Sequence, residues 1–193
     1  MFDTPVVLGI DPGLSRCGFG AVARAEGGSV RALRCGVLRT DPNEELPKRL
    51  AILADDLEAL VCDVQPSVMV VERVLFQVNA RTAISVGQAS GLALATAARH
   101  GVPVVQYSPN EVKLAVAGDG GAGKAEVAAM VTRLLRLREV PKPADAADAL
   151  ALAVCHAWRS RLDQPVGAAA ETSRSGPNTR LQARIDAAIA GAT

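Results

Sequence analysis

"VVLGIDPGLSRCGFGAVARA", residues 6–25, carries the pattern on which the architecture turns. Its first part, "VVLGID", is a compact apolar run, "PGLSR" is a turn, and "CGFGAVARA" is a second run. A third run, "SVRALRCGVLRT", comes after "EGG". Short strands joined by Gly-rich turns favour antiparallel pairing, so residues 6–39 are read as a three-stranded meander.

Beyond the meander the period changes. Residues 46–64 place Leu50, Leu53, Leu57, Leu60 and Val64 at helical spacing. "SVMVVER" is continuously apolar before its charges, the pattern of a strand covered on both faces. Residues 79–99 read as a second helix rich in small residues, and "VPVVQYS" as another short strand. A short helix from Asn110, the loop "GDGGAG", a helix from Lys124 to Arg138 and a Pro-containing break follow. The last helix lies in "ADAADALALAVCHAW", residues 144–158. Strands first and alternating units afterwards predict an α/β fold, a mixed five-stranded sheet with helices on both faces.

The chain has 193 residues, 49% of them hydrophobic, enough for one domain with its own core. That domain is expected over 1–162. Residues 163–193 are rich in Ala, Gly, Ser and Thr with little to bury, and are expected to form a mobile tail without a catalytic role. Cys17, Cys35, Cys62 and Cys155 are scattered without metal-site or redox spacing, and are expected to be reduced thiols in apolar surroundings. Only His100 and His156 are available for a histidine-based site. No leader and no membrane-length apolar run is read, so a soluble, cytoplasmic protein without membrane association is expected.

Asp145 and Asp148 pose a physical problem. Residues three apart on a helix are neighbours, and these two sit in a segment that otherwise looks buried. Ala147, Leu150, Ala151, Val154 and Trp158 form its main apolar stripe, with Leu152 and Cys155 flanking the acids. Placement at a helix N-terminus accounts for one acid, or both, through the helix dipole. Sharing a proton or holding a cation are the other remedies for close, partly desolvated charges. Two further acids favour the cation. Asp11 ends "VVLGID" and Glu72 ends "VMVVE", where purely structural strands would continue apolar. Strand ends are where α/β proteins commonly place sites. Four acids with no histidine beside them suit hard, oxygen-loving ions, magnesium or manganese, and a pair of such ions can support in-line displacement at phosphorus.

Together "GIDPGLSRCGFGAV", "VVERVLFQVNARTA", "VGQASG" and "PADAADALALAVCH" resemble the RuvC-type Holliday junction resolvases, in order from about residue 6 to residue 160. The resemblance implies a ribonuclease H-like fold, a homodimer, and a magnesium-dependent endonuclease, with two ions per site, that nicks opposing strands of a four-way DNA junction. Asp11, Glu72, Asp145 and Asp148 then fall on the family's acidic tetrad. Lys113 and Lys124 match its lysines associated with DNA and the scissile phosphate. An aromatic shortly after the second acid is usual in the family. Here Leu75 occupies the expected position and Phe76 the next, so either can be the junction wedge. A branch-migration motor is a further partner that the resemblance implies.

The net charge of +1 does not by itself point to nucleic acid, but its distribution is uneven. From Arg73 to Glu139 eight basic residues, Arg81 among them, face four acids. A basic surface bordering an acidic pocket suits a phosphodiester substrate. "GDGGAG" could let backbone amides approach phosphate, although it is no Walker loop. Ala83, Gly87, Ser90, Gly91 and Leu94 lie near one helix face, suited either to sheet packing or to a self-pairing helix. The alternatives are a sugar-kinase or actin-like phosphotransferase, a junction binder without catalysis, and a structure-independent nuclease. The first shares the strand-turn-strand phosphate loop but needs a second domain and a second Asp-x-Gly turn. The second has no use for four clustered acids near phosphate.

Overall fold

The computed structural model describes residues 5–24, 29–73 and 80–160, without the side chains of 80–82. Strands β1 (Val6–Asp11), β2 (Arg16–Arg24) and β3 (Val30–Arg39) form the antiparallel meander. Helix α1 (Leu46–Val64) leads to β4 (Val68–Glu72), and α2 (Ala80–Arg99) to β5 (Val104–Tyr107). Helices α3 (Pro109–Ala117), α4 (Lys124–Leu134) and α5 (Ala144–Arg159) follow. The sheet order is β3-β2-β1-β4-β5, with β1, β4 and β5 parallel. This is the mixed five-stranded sheet read from the sequence.

Side-chain alternation along the strands splits the core into two layers. Val7, Val22 and Val70 pack with α3, α4 and α5 on one face. Leu8, Ile10, Ala21, Met69 and Val71 pack with α1 and α2 on the other. Gly9 pairs with Gly20, and Asp11 with Gly18, so these four share the α5 face with Val7 and Val22.

The glycines explain how α5 sits so close. A Cβ on Gly9 would stand 2.1 Å from the Ala149 carbonyl oxygen, and one on Gly18 at 2.1 Å from that of Asp145. One on Gly20 would meet the Leu150 backbone at 2.7 Å. Glycine within a strand costs about 0.5–1 kcal/mol against alanine, but no other residue lets the helix backbone lie directly on the sheet. The result is a helix enclosed on most sides: Ala146, Ala147 and every residue from Ala149 to Cys155 are buried. The expected apolar stripe is therefore too narrow, because α4 and α3 cover the flank that the stripe leaves open.

Four other expectations change. Helix α4 stops at Leu134, not Arg138: Arg136 takes a left-handed φ of 52°, and the Leu137 N–H turns back to the Thr132 carbonyl at 2.9 Å. Cys17 and Cys155 are buried, but Cys35 and Cys62 are exposed, and all four are free. On α2 the small residues divide between two faces. Ser90 is buried with Ala89, Ala93 and Ala97, whereas Gly87 and Gly91 face open space. Helix α3 starts one residue earlier than expected, at Pro109, behind a capping box in which Ser108 and Glu111 satisfy each other's backbone amides.

Candidate active site

Asp11 and Glu72 close adjacent parallel strands. Ile10 pairs with Val71, so continuing that register sets Asp11 beside Glu72 on the α5 face. Helix α5 approaches from above. Its first turn carries Asp145, whose carbonyl rests on Gly18, the cross-strand partner of Asp11. Asp148 follows one turn later. Helix α3 supplies Lys113, and α4 begins with Lys124 after the N-cap Gly123.

Asp11, Glu72, Asp148, Lys113 and Lys124 line one small cavity of about 80 Å³ together with apolar Val112, Val127 and Leu152. Asp145 lies in an adjoining groove of about 560 Å³ that it shares with Asp11, Lys124, Ser15, Arg16 and Arg49. Asp11 and Lys124 stand at the junction of the two. The sequence-derived acids thus converge on one region, three in the cavity and one at its rim. Their oxygens do not close to within 4.8 Å of one another in threes.

The electrostatics follow from this crowding. Burial, followed by Glu72, Asp148 and Asp145, pushes the Asp11 carboxyl up to about 7, and only Lys124 opposes the rise. Burial also raises Glu72, with Asp148 adding to it and Lys124 opposing. Lys124 donates to Asp148 Oδ2 at 2.7 Å, and that bond raises its own pKa. Asp145 meets Arg16 Nε at 3.5 Å. A buried carboxylate whose pKa rises is a charge awaiting compensation. An all-oxygen donor set of this kind fits a hard divalent cation, which typically takes one or two carboxylates and keeps several waters.

A family profile described as "Crossover junction endodeoxyribonuclease RuvC" matches residues 7–156. The chain belongs to the RuvC family. The Salinispora arenicola crossover junction endodeoxyribonuclease RuvC is 54% identical over 170 residues, covering 88% of this chain and 97% of that protein. The Rhodococcus jostii protein of the same name is 48% identical over 179 residues, covering 93% and 94%. Among solved structures, T. thermophilus RuvC in complex with a Holliday junction substrate is 39% identical with a TM-score of 0.77, covering 82% of this chain and 96% of that one. The yeast mitochondrial Holliday junction resolvase Ydc2, 18% identical at a TM-score of 0.59, covers 82% of each chain and shares the fold alone. The fold is ribonuclease H-like, and the RuvC family to which the chain belongs is one of metal-dependent DNA endonucleases.

Leu75 and Phe76 lie outside the described residues, and so does the side chain of Arg81 in the first turn of α2. Residues 161–193 also lie outside them. No helix among the described residues is long and apolar enough to cross a membrane. Sequence reasoning did not single out Arg16 and Arg49. Arg49 is held by Ser15 at 2.7 Å and Thr40 at 3.1 Å, the first contact joining segments 34 residues apart in the chain. The "GDGGAG" loop is less open than expected, since Asp119 already accepts the Gly121 amide at 2.8 Å.

Proposed function

We propose that this chain resolves four-way DNA junctions by symmetric nicks on opposing strands, using magnesium held by Asp11, Glu72, Asp145 and Asp148. The observation that carries the reading is the pair of half-buried strand-end carboxylates, raised in pKa, facing two lysines across one cavity. Bound there, a pair of magnesium ions would activate the attacking water and offset the charge developing on the phosphate; manganese can substitute.

The protein's own groups do the rest. Lys113 and Lys124 form the wall opposite the strand ends and hold the scissile phosphate. Arg16 and Arg49 extend that positive edge along the groove, where the flanking backbone runs. Apolar Val112, Val127 and Leu152 limit water around the reacting phosphate. Leu75 or Phe76 is the wedge at the crossover, and Arg81 a further DNA contact. The nuclease domain spans 1–162.

Two symmetric cuts need two sites, which a two-fold homodimer provides. The outer face of α2 suits the contact: Ile84 is 62% exposed there, and Gly87 and Gly91 leave room for close helix approach. The same resemblance extends the proposal to docking on a branch-migration motor.

Cleavage of a four-way junction, a flap and a plain duplex of matched sequence tests the whole reading. Paired nicks confined to the junction, two chains per junction and complete loss with chelator are expected. Equal cutting of the duplex would instead mean a structure-independent nuclease. For the lysines, Lys113→Ala and Lys124→Ala each reduce the slope of log affinity against log salt by about one. An unchanged slope in both variants removes them from the DNA contact.

A further inference from the structure

On the opposite face of the sheet a second set of donors meets. Glu58 and Cys62 are four residues apart on α1 and so share a helix face. His100 follows directly on α2. A Glu58 carboxylate oxygen, the Cys62 Sγ and a His100 ring nitrogen all lie within 4.8 Å of one another, the only such trio of His, Cys, Asp or Glu among the described residues. His100 Nε2 contacts Glu58 Oε1 directly. The other carboxylate oxygen, Oε2, is engaged by Arg99 at 3.6 Å, which fixes the carboxylate with Oε1 toward the histidine. A cavity of about 380 Å³ borders Cys62 and His100, with Gln65 and Pro66 on its wall, and gives solvent access to the thiol and the imidazole.

A surface ion pair between Glu58 and His100 would explain two of these residues. It does not explain a thiol at the third vertex, exposed and bonded to no other cysteine. One sulfur, one nitrogen and one oxygen donor do not suit magnesium, which prefers oxygen throughout; they suit a borderline-soft ion. We infer that Glu58, Cys62 and His100 bind a divalent ion of the zinc type, with water completing its shell. Binding takes the thiolate form of Cys62 and releases its proton to solvent. The ion ties α1 to the end of α2, and the site is independent of the acidic cavity across the sheet.

Cobalt titration of the full chain in excess magnesium tests this, because magnesium occupies the oxygen-donor site while only a thiolate gives a sulfur-to-cobalt charge-transfer band. One equivalent of cobalt should produce that band, and zinc should displace it. Cys62→Ser and His100→Ala should lose it, Glu58→Gln should weaken binding by about tenfold or more, and Cys35→Ser should keep it. Zinc should raise the melting temperature of the wild type and leave that of Cys62→Ser unmoved. Cys62 is exposed, so Cys62→Ser should fold, which circular dichroism and retained junction cleavage report independently. Absence of the band in the wild type, or its persistence in Cys62→Ser, overturns the site.

Discussion

Asp11→Asn lowers junction cutting by at least about 100-fold, since loss of even a supporting group at a metal centre costs 10–100-fold, and it makes the metal-free protein more stable near neutral pH. The second effect follows from the sign of the shift. The folded carboxyl is pushed up to about 7 by burial first and then by its acidic neighbours, against about 3.9 for an unfolded aspartate. Below about pH 4 both states hold the proton and Asp11 is neutral in its effect. Between there and about pH 7 the unfolded chain ionises while the folded one resists, so stability falls by about 1.4 kcal/mol per pH unit, some 4 kcal/mol in all. Above about 7 the loss is complete. Asparagine keeps the shape and abolishes the charge. For a chain of this size the difference corresponds to about 10 °C in melting temperature. Melts in chelator at about pH 8 should show that gap, and melts at about pH 4 should close it. Magnesium added to the wild type at the higher pH should close it too. Equal melting temperatures at both pH values, or a variant that cuts at the wild-type rate, would remove Asp11 from the centre of the site.

The four acids that line the candidate site were legible for one physical reason: each breaks an apolar pattern. Asp11 and Glu72 end runs that a structural strand would continue, and Asp145 and Asp148 charge a helix that otherwise reads as buried. The meander was legible because its runs are short and separated by turn residues, and the two-sided burial of β4 because its apolar run is unbroken. Arg16 and Arg49 carried no such mark. Arg49 flanks the groove because it reaches Ser15 and Thr40, and Arg16 because it meets Asp145. The end of α4 was hidden because a left-handed Arg136 has no composition signal, unlike the glycine that closes α3 at Gly118. The start of α3 was missed by one residue although "SPNE", a Ser followed three residues later by Glu, carries its signal. The exposure of Cys35 and Cys62 was not, because the apolar character of a free thiol says little about which strand or helix face it occupies.

Gly9, Gly18 and Gly20 were visible as letters but not as a device, since their meaning needs the strand register. They yield the second large effect: Gly18→Ala loses stability and, more severely, cutting. The new methyl would lie 2.1 Å from the Asp145 carbonyl oxygen and 2.7 Å from its carbon, so the start of α5 must move. Overpacking of this kind costs about 1–3 kcal/mol. The obstacle is helix backbone, which places the cost at the upper end, offset by about 0.5–1 kcal/mol from replacing glycine in a strand. A net loss of about 2 kcal/mol lowers the melting temperature by about 4–8 °C. Activity suffers more, because the residue displaced is Asp145, a proposed metal ligand, and a misplacement of about 1 Å at such a site can cost roughly 100-fold. Gly36→Ala separates the two effects. Its methyl would meet the end of the Phe19 ring at 2.8 Å, a side chain that can turn aside, and it lies on the outer strand β3. That variant should melt close to the wild type and cut at a similar rate. If Gly18→Ala matches it in both measurements, α5 is not seated by the glycines, and the placement of Asp145 needs another cause.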